Sequence, residues 1–320
     1  MDLISVPVSV IIVTFNRKET VCRAIDSALN QTLPPAEVIV VDDGSTDGTK
    51  ELLEHLPGIR YVWQENQKQA AARNTGLSFC TGDIVATLDS DDWWDLDHLS
   101  RALRTMRAND VPVYCSNWRE INCGGQLVRE DGMSRMRAMP DYLNRADPDG
   151  FVVLNETEAR WLALMHQPAP SSAMVIDKQL ICGWDSGMAG WIREDLLLLI
   201  EAVMANSKGM SLGAQPTWNK EVDGLSLTST AKSTHLDDTW FRGEQHIYQR
   251  VRSLLRPKED TNLRKMIAGL AFDQAYNVSR SNPARSVPLF WEAFRWTPSV
   301  RPLVALLKQL LRLLSLSQTD

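Results

Sequence analysis

The chain of 320 residues carries a formal net charge of -6, which excludes a broad nucleic-acid surface, because neutralising phosphates needs a basic excess. Its five cysteines, Cys22, Cys80, Cys115, Cys123 and Cys182, are odd in number, widely spaced and without a CxxC pair. Neither a disulfide framework nor a zinc cluster is expected, and a reducing, cytoplasmic setting fits. The start at Met1-Asp2-Leu3 has no basic segment, so no secretory signal is expected, and the apolar run from Val8 to Phe15 is far too short to cross a bilayer.

Val8 to Val13 is a β-branched run of the kind that forms a buried parallel strand, and it stops at Thr14-Phe15-Asn16. A helix follows, with Asn16 and Glu19 spaced as a capping pair and Val21, Ile25, Ala28 and Leu29 on one face. Val38 to Val41 repeats the strand signature and runs into Asp42-Asp43-Gly44-Ser45, an acceptor-rich turn that opens a second helix through Leu53. Ile59 to Trp63 reads as a third strand, Gln67 to Cys80 as a third helix, and Asp83 to Leu88 as a fourth strand ending at Asp89-Ser90-Asp91-Asp92. Strands alternating with helices imply a doubly wound α/β domain with a mainly parallel sheet.

A helix to about Arg107 and a strand over Val111 to Trp118 come next; the pattern then loosens, and residues 119–165 yield no assignment. Regularity returns with a strand over Ala173 to Ile176 and a helix over Arg193 to Ala205, and after His235 the chain is mainly helical. The apolar segment Leu303 to Leu314 carries cations at Lys308 and Arg312, four residues apart on one face. It reads first as packing on the protein's own body and second as a peripheral contact with an anionic membrane surface.

Asp43 and the Asp89/Asp91 pair stand where buried strands end, and in open α/β sheets the carboxyl ends of strands border the ligand crevice. Two carboxylates in an Asp-x-Asp turn suit a hard cation, Mg²⁺ or Mn²⁺, that keeps substrate phosphates among its ligands. Each turn by itself also reads as ordinary helix capping.

The motifs Val-Ser-Val-Ile-Ile-Val-Thr-Phe-Asn (8 to 16), Val-Val-Asp-Asp-Gly-Ser-Thr-Asp (40 to 47), Ala-Ala-Arg-Asn-Thr-Gly (71 to 76) and Leu-Asp-Ser-Asp-Asp (88 to 92), in that order, resemble the inverting family 2 glycosyltransferases with the GT-A fold. The resemblance is close over residues 5 to 105. It continues more weakly through Ser171-Ser172-Ala173-Met174 and Gly183-Trp184-Asp185 to Trp191-Ile192-Arg193-Glu194-Asp195. It implies a GT-A domain over 1–232, with a nucleotide-binding half (1–110) and an acceptor-binding half (111–232), followed by a helical extension over 233–320.

Residue by residue, the resemblance places Thr14, Phe15 and Asn16 at the donor site, Phe15 beside the base, and gives Asp43 the reading of a pyrimidine. It puts Arg73 near the donor, makes Asp91 a metal ligand with Asp89 serving metal or ribose, and makes Asp195 the catalytic base. The implied donor is a nucleotide-diphosphate sugar, UDP first. The implied acceptor is a saccharide, lipid-linked or protein hydroxyl in cell-envelope or polysaccharide synthesis. Trp184 is read as core rather than as a sugar-stacking face.

Two departures and three competitors bear on this reading. Trp93-Trp94-Asp95-Leu96 replaces the wording usual after the Asp-x-Asp motif, and the five histidines show no metal-ligand spacing. A nucleotidyltransferase would want a glycine-rich, basic phosphate loop that the turn at 14 to 16 lacks. A dinucleotide dehydrogenase would want Gly-x-Gly-x-x-Gly after the first strand. A non-catalytic nucleotide- or carbohydrate-binding relative is separated from an enzyme only by turnover.

Overall fold

The computed structural model describes residues 6–136, 138–188, 193–222 and 233–316. The chain divides into two compact units, one of residues 1–189 with 194–226 and one of 190–193 with 227–320.

In the first unit, four strands rich in β-branched residues, β1 (Val8–Thr14), β2 (Glu37–Asp42), β3 (Arg60–Trp63) and β4 (Ile84–Asp89), pair in parallel in the order β3-β2-β1-β4. β1, β2 and β4 are buried along nearly their whole length, as two-sided covering requires. They alternate with α1 (Val21–Leu29), α2 (Thr49–Leu53) and α3 (Gln69–Phe79). The short β5 (Trp93–Trp94), α4 (His98–Ala108) and β6 (Val113–Ile121) follow. The fold is thus doubly wound α/β, as the strand-helix alternation predicts, and it positions the acids of β2 and β4 at one set of strand ends.

The half beyond β4 is mixed. The unassigned stretch contains β7 (Leu127–Arg129) as an antiparallel partner of β6, then α5 (Met139–Leu143), β8 (Phe151–Leu154) and α6 (Glu156–His166). β9 (Met174–Asp177) inserts antiparallel between β4 and β6, and α7 (Glu194–Met204) comes next. β10 (Met210–Glu221) runs parallel to β6 and antiparallel to both β5 and β8. It was not anticipated because its register shifts between Gly213, Pro216 and Asn219 break the alternation that marks a strand.

Two boundaries differ from the sequence reading for physical reasons. Asn16 does not cap α1: it sits at φ 51, its backbone N–H donates to Ser45 Oγ at 2.9 Å, and its Oδ1 accepts from the Thr46 N–H at 2.8 Å. Thr20 takes the capping position without a side-chain bond. Helix α3 starts at Gln69 rather than Gln67 because the amides of Gln67 and Lys68 donate to Asp43. Gly76 brings α3 close onto β1, since a Cβ there would lie 2.7 Å from Ile11 Cγ2.

Among the described residues the second unit holds helices α8 (Ser233–Val251), α9 (Pro257–Val278), α10 (Pro283–Trp296) and α11 (Val300–Leu316). Pro257 and Pro283 stand in the first turn of their helices, where a missing N–H costs nothing. The side chain of His235 and the position of Trp191 lie outside the described residues.

Candidate active site

Two acid-bearing turns close the strand ends. At the end of β2, Asp42 is fully buried: its Oδ1 accepts from the Ser45 N–H and its Oδ2 from the Tyr61 hydroxyl, each at 2.9 Å. Burial, reinforced by the Asp42 carboxylate, pushes the Tyr61 hydroxyl above its ordinary range. Asp43 is also buried and takes three donors, Gln64 Nε2 at 2.7 Å and the Gln67 N–H at 2.9 Å on Oδ1, and the Lys68 N–H at 2.9 Å on Oδ2. Its own N–H donates to the Thr14 carbonyl at 2.9 Å, which ties this turn to the end of β1. Gly44 holds φ 83 in the turn, and a Cβ there would approach the Asn66 nitrogen to 2.9 Å. Thr14 is buried with Oγ1 unpaired, whereas the neighbouring Phe15 is an exposed ring.

The second turn, at the end of β4, is built around Arg73 of α3, which is 1% exposed. Its Nη2 meets Asp89 Oδ1 at 2.8 Å, and its Nη1 meets Asp195 Oδ1 at 2.7 Å and Glu194 Oε1 at 3.4 Å. Burial works against this charge, but the fields of Asp195, Asp89 and Glu194 outweigh it and hold the guanidinium above its ordinary pKa. The Gln69 amide, with its oxygen turned to Arg73, donates to Glu194 Oε1 at 3.3 Å. One buried cation therefore joins the end of β4 to the first turn of α7, where acids are also favoured by the helix dipole.

Asp195 has a further donor. The Trp184 indole N–H reaches the same Oδ1 at 3.1 Å. Asn74 clamps the Trp184 backbone from both sides, donating to its carbonyl and accepting from its N–H at 2.7 Å each. Trp184 is buried, as a core residue should be. With Oδ1 doubly bonded, Asp195 Oδ2 takes no hydrogen bond among the described residues. Burial raises the Asp195 pKa despite Arg73, and burial followed by the Asp195 charge pushes Glu194 up to about 7.

Asp91 stands apart from this hub. Its Oδ2 lies 3.7 Å from Arg17 Nε, and its carbonyl accepts from Arg23 Nη2 at 3.0 Å. Burial and the Asp89 charge raise its pKa. Asp92 turns inward instead, accepting from Ser172 Oγ at 2.6 Å and from the Glu221 N–H at 3.3 Å, and burial drives its carboxyl well above the ordinary range. Beside these acids is Lys220 at the end of β10. Burial disfavours its charge, but Asp92, Asp89 and Asp91 together hold its pKa above the ordinary value.

Residues 9–160 match the model of glycosyl transferase family 2. The chain carries a family 2 glycosyltransferase domain. Similar curated proteins include an uncharacterized glycosyltransferase of Nostoc, 38% identical over 32% of this chain and 34% of that protein. Two Escherichia coli enzymes also match: chondroitin synthase (36% identical, 38% of this chain, 18% of that protein) and a UDP-Glc:alpha-D-GlcNAc-diphosphoundecaprenol beta-1,3-glucosyltransferase, WfaP (35% identical, 35% of this chain, 45% of that protein). The matched stretch thus spans less than half the length of these relatives. The crystal structure of Staphylococcus aureus TarS 1–349 in complex with UDP-GlcNAc superposes with a TM-score of 0.63 at 17% identity, covering 91% of this chain and 82% of that one. At that identity the likeness speaks for the fold, a GT-A-like sheet with a helical C-terminal region.

In the first unit the structure brings Arg73 and Asp89 of the matched stretch together with Asp195 beyond it, while Asp91, two residues on from Asp89, meets Arg17 instead. No hydrogen bond among the described residues joins Asp43 to this group. No set of three or more His, Cys, Asp or Glu side chains among the described residues could by itself hold a metal. Two carboxylates, one with an oxygen left free by Arg73 and one whose charge is raised in energy by its neighbour, nevertheless fit Mg²⁺ or Mn²⁺, which take one or two carboxylates and complete their shell with water and phosphate.

Sequence reasoning passed over Lys220, Ser172 and the Asn74–Trp184 clamp. Asn74 and Ser172 lay inside quoted motifs, so a signal existed. Lys220 lies beyond the family match, and its sequence neighbourhood carries none.

Proposed function

We propose that the protein is an inverting glycosyltransferase that moves a sugar from a nucleotide-diphosphate donor, UDP first, to a hydroxyl of a saccharide or lipid-linked acceptor in cell-envelope polysaccharide synthesis on the cytoplasmic side. The observation that carries the reading is the Arg73 hub, which sets the acid proposed as base and the acid proposed for the donor on one buried guanidinium. A relative named as a UDP-Glc glucosyltransferase acting on a diphosphoundecaprenol-linked sugar, and a similar fold solved in complex with UDP-GlcNAc, support the donor class.

In this reading Asp43, fixed by three donors, faces the base, with Thr14, Phe15 and Asn16 around it. Asp91, aided by Asp89, would hold Mn²⁺ or Mg²⁺, and a divalent cation there would offset the negative charge of the nucleoside diphosphate leaving group. Burial raises the proton affinity of Asp195 while Arg73 favours its charged form, a balance that suits a general base. Because Oδ1 is occupied by Arg73 and Trp184, Oδ2 takes the acceptor's proton as its oxygen attacks the anomeric carbon from the face opposite the leaving group. A single displacement of this kind inverts configuration.

Calorimetric titration of UDP, dTDP and GDP, each with Mn²⁺ and with EDTA, tests the donor site. The expected result is metal-dependent UDP binding that Asp91→Ala weakens on the order of tenfold or more, the loss of one charge-assisted contact. No nucleotide binding with metal present would overturn the assignment.

A further inference from the structure

The second unit presents an apolar helix face that no described residue of that unit covers. Helix α11 turns one side inward, where Leu306 joins Phe290 of α10 and Ala275 of α9 in a small core with Phe272 and Ala305 beside them. Its other side carries Leu303, Val304, Leu307, Leu310, Leu311 and Leu314, all exposed, the last two at 66% and 62% and Leu307 at 51%. At helical spacing these six project within an arc of about 120°. Single exposed leucines are ordinary on a protein surface, but a contiguous stripe of this length is not.

Charge decides what the stripe fits. One border of the arc carries Arg301, Lys308 and Arg312, and α11 contains no acid. From Pro283 to Leu316 there are five cations and one acid, Glu292, in a chain whose net charge is -6. A seam for a second copy of the helix would be flanked by acids as well as bases that pair across it. An apolar arc bordered by cations alone matches the boundary between the acyl chains and anionic headgroups of a lipid surface. No described helix is long and apolar enough to cross a membrane, so the contact lies in the plane of the surface.

We propose that α11 is a peripheral membrane anchor, its leucine stripe seated at the acyl boundary and Arg301, Lys308 and Arg312 at the level of anionic headgroups. This inference does not depend on the sugar-transfer reading, and its test needs no turnover.

The full chain is sedimented with vesicles of phosphatidylglycerol and phosphatidylethanolamine, and separately with vesicles of phosphatidylcholine alone, at low and high salt. The wild type is expected to pellet with the anionic vesicles and to be released as salt rises. Leu307→Ser with Leu311→Ser, and separately Lys308→Glu, are each expected to lower binding on the order of tenfold or more. Both variants should keep the wild-type circular dichroism spectrum, because the altered side chains are exposed. A wild type that stays in the supernatant with anionic vesicles overturns the proposal, as does a double serine variant that binds as well as the wild type. A dimer in ultracentrifugation that the double variant dissociates, without vesicle binding, would assign the stripe to a second copy of the chain instead.

Discussion

The two acid turns of the first unit look alike in sequence and differ in how their charge is met. Asp42 and Asp43 are saturated by neutral donors, chiefly backbone amides and one hydroxyl, so their turn is a closed hydrogen-bonded structure. Asp89, Asp91 and Asp92 stand instead among formal charges, Arg73, Arg17 and Lys220, and the carboxyls of Asp91 and Asp92 are displaced upward in pKa. An acid held by dipoles keeps its charge without a counter-ion, whereas acids that repel one another raise one another's pKa and favour a further cation. The same pair of residues at the same kind of strand end can thus build either a closed hydrogen-bonded turn or a cluster of charges.

The contrast is sharpest at Arg73. Arg73→Met is expected to destabilise the protein by about 3–5 kcal/mol, because it leaves Asp89, Glu194 and Asp195 without their buried counter-charge. Chemical denaturation reads the loss, and a change under about 1 kcal/mol would show that the charges of this turn are screened like surface groups.

A smaller effect belongs to pH. Glu194 titrates near 7 against an ordinary 4.5, so the native state holds its proton where the unfolded chain has lost it. Stability is then greatest below about 4.5 and falls as pH rises to about 7, by up to about 3 kcal/mol from this group. Glu194→Gln should flatten that slope in denaturation midpoints measured across the range; a slope left unchanged would remove Glu194 from the charge centre.

The smallest effect is expected at the closed turn. Asp43→Ala removes three hydrogen bonds whose donors stand near solvent, so water takes part of their place and the loss is about 1–2 kcal/mol. A loss as large as that of Arg73→Met would erase the distinction between the turns.

The alternation of β1, β2 and β4 with helices was legible because a parallel strand buried on both faces is a short, β-branched apolar run bounded by turn residues. The acids at the strand ends were legible for the same reason, since the run marks where the strand stops. The 119–165 region and β10 were not, because antiparallel pairing with bulges and Pro216 leaves no regular alternation to read. Local chemistry therefore determined which acids stand at the strand ends. Only the tertiary structure decided that Arg73 would join residues 122 positions apart, that Lys220 would enter the field of the second turn, and that one side of α11 would pack while the other stayed open. Burial and long-range charge depend on elements distant in the chain, and periodicity carries no record of which element will supply the neighbour.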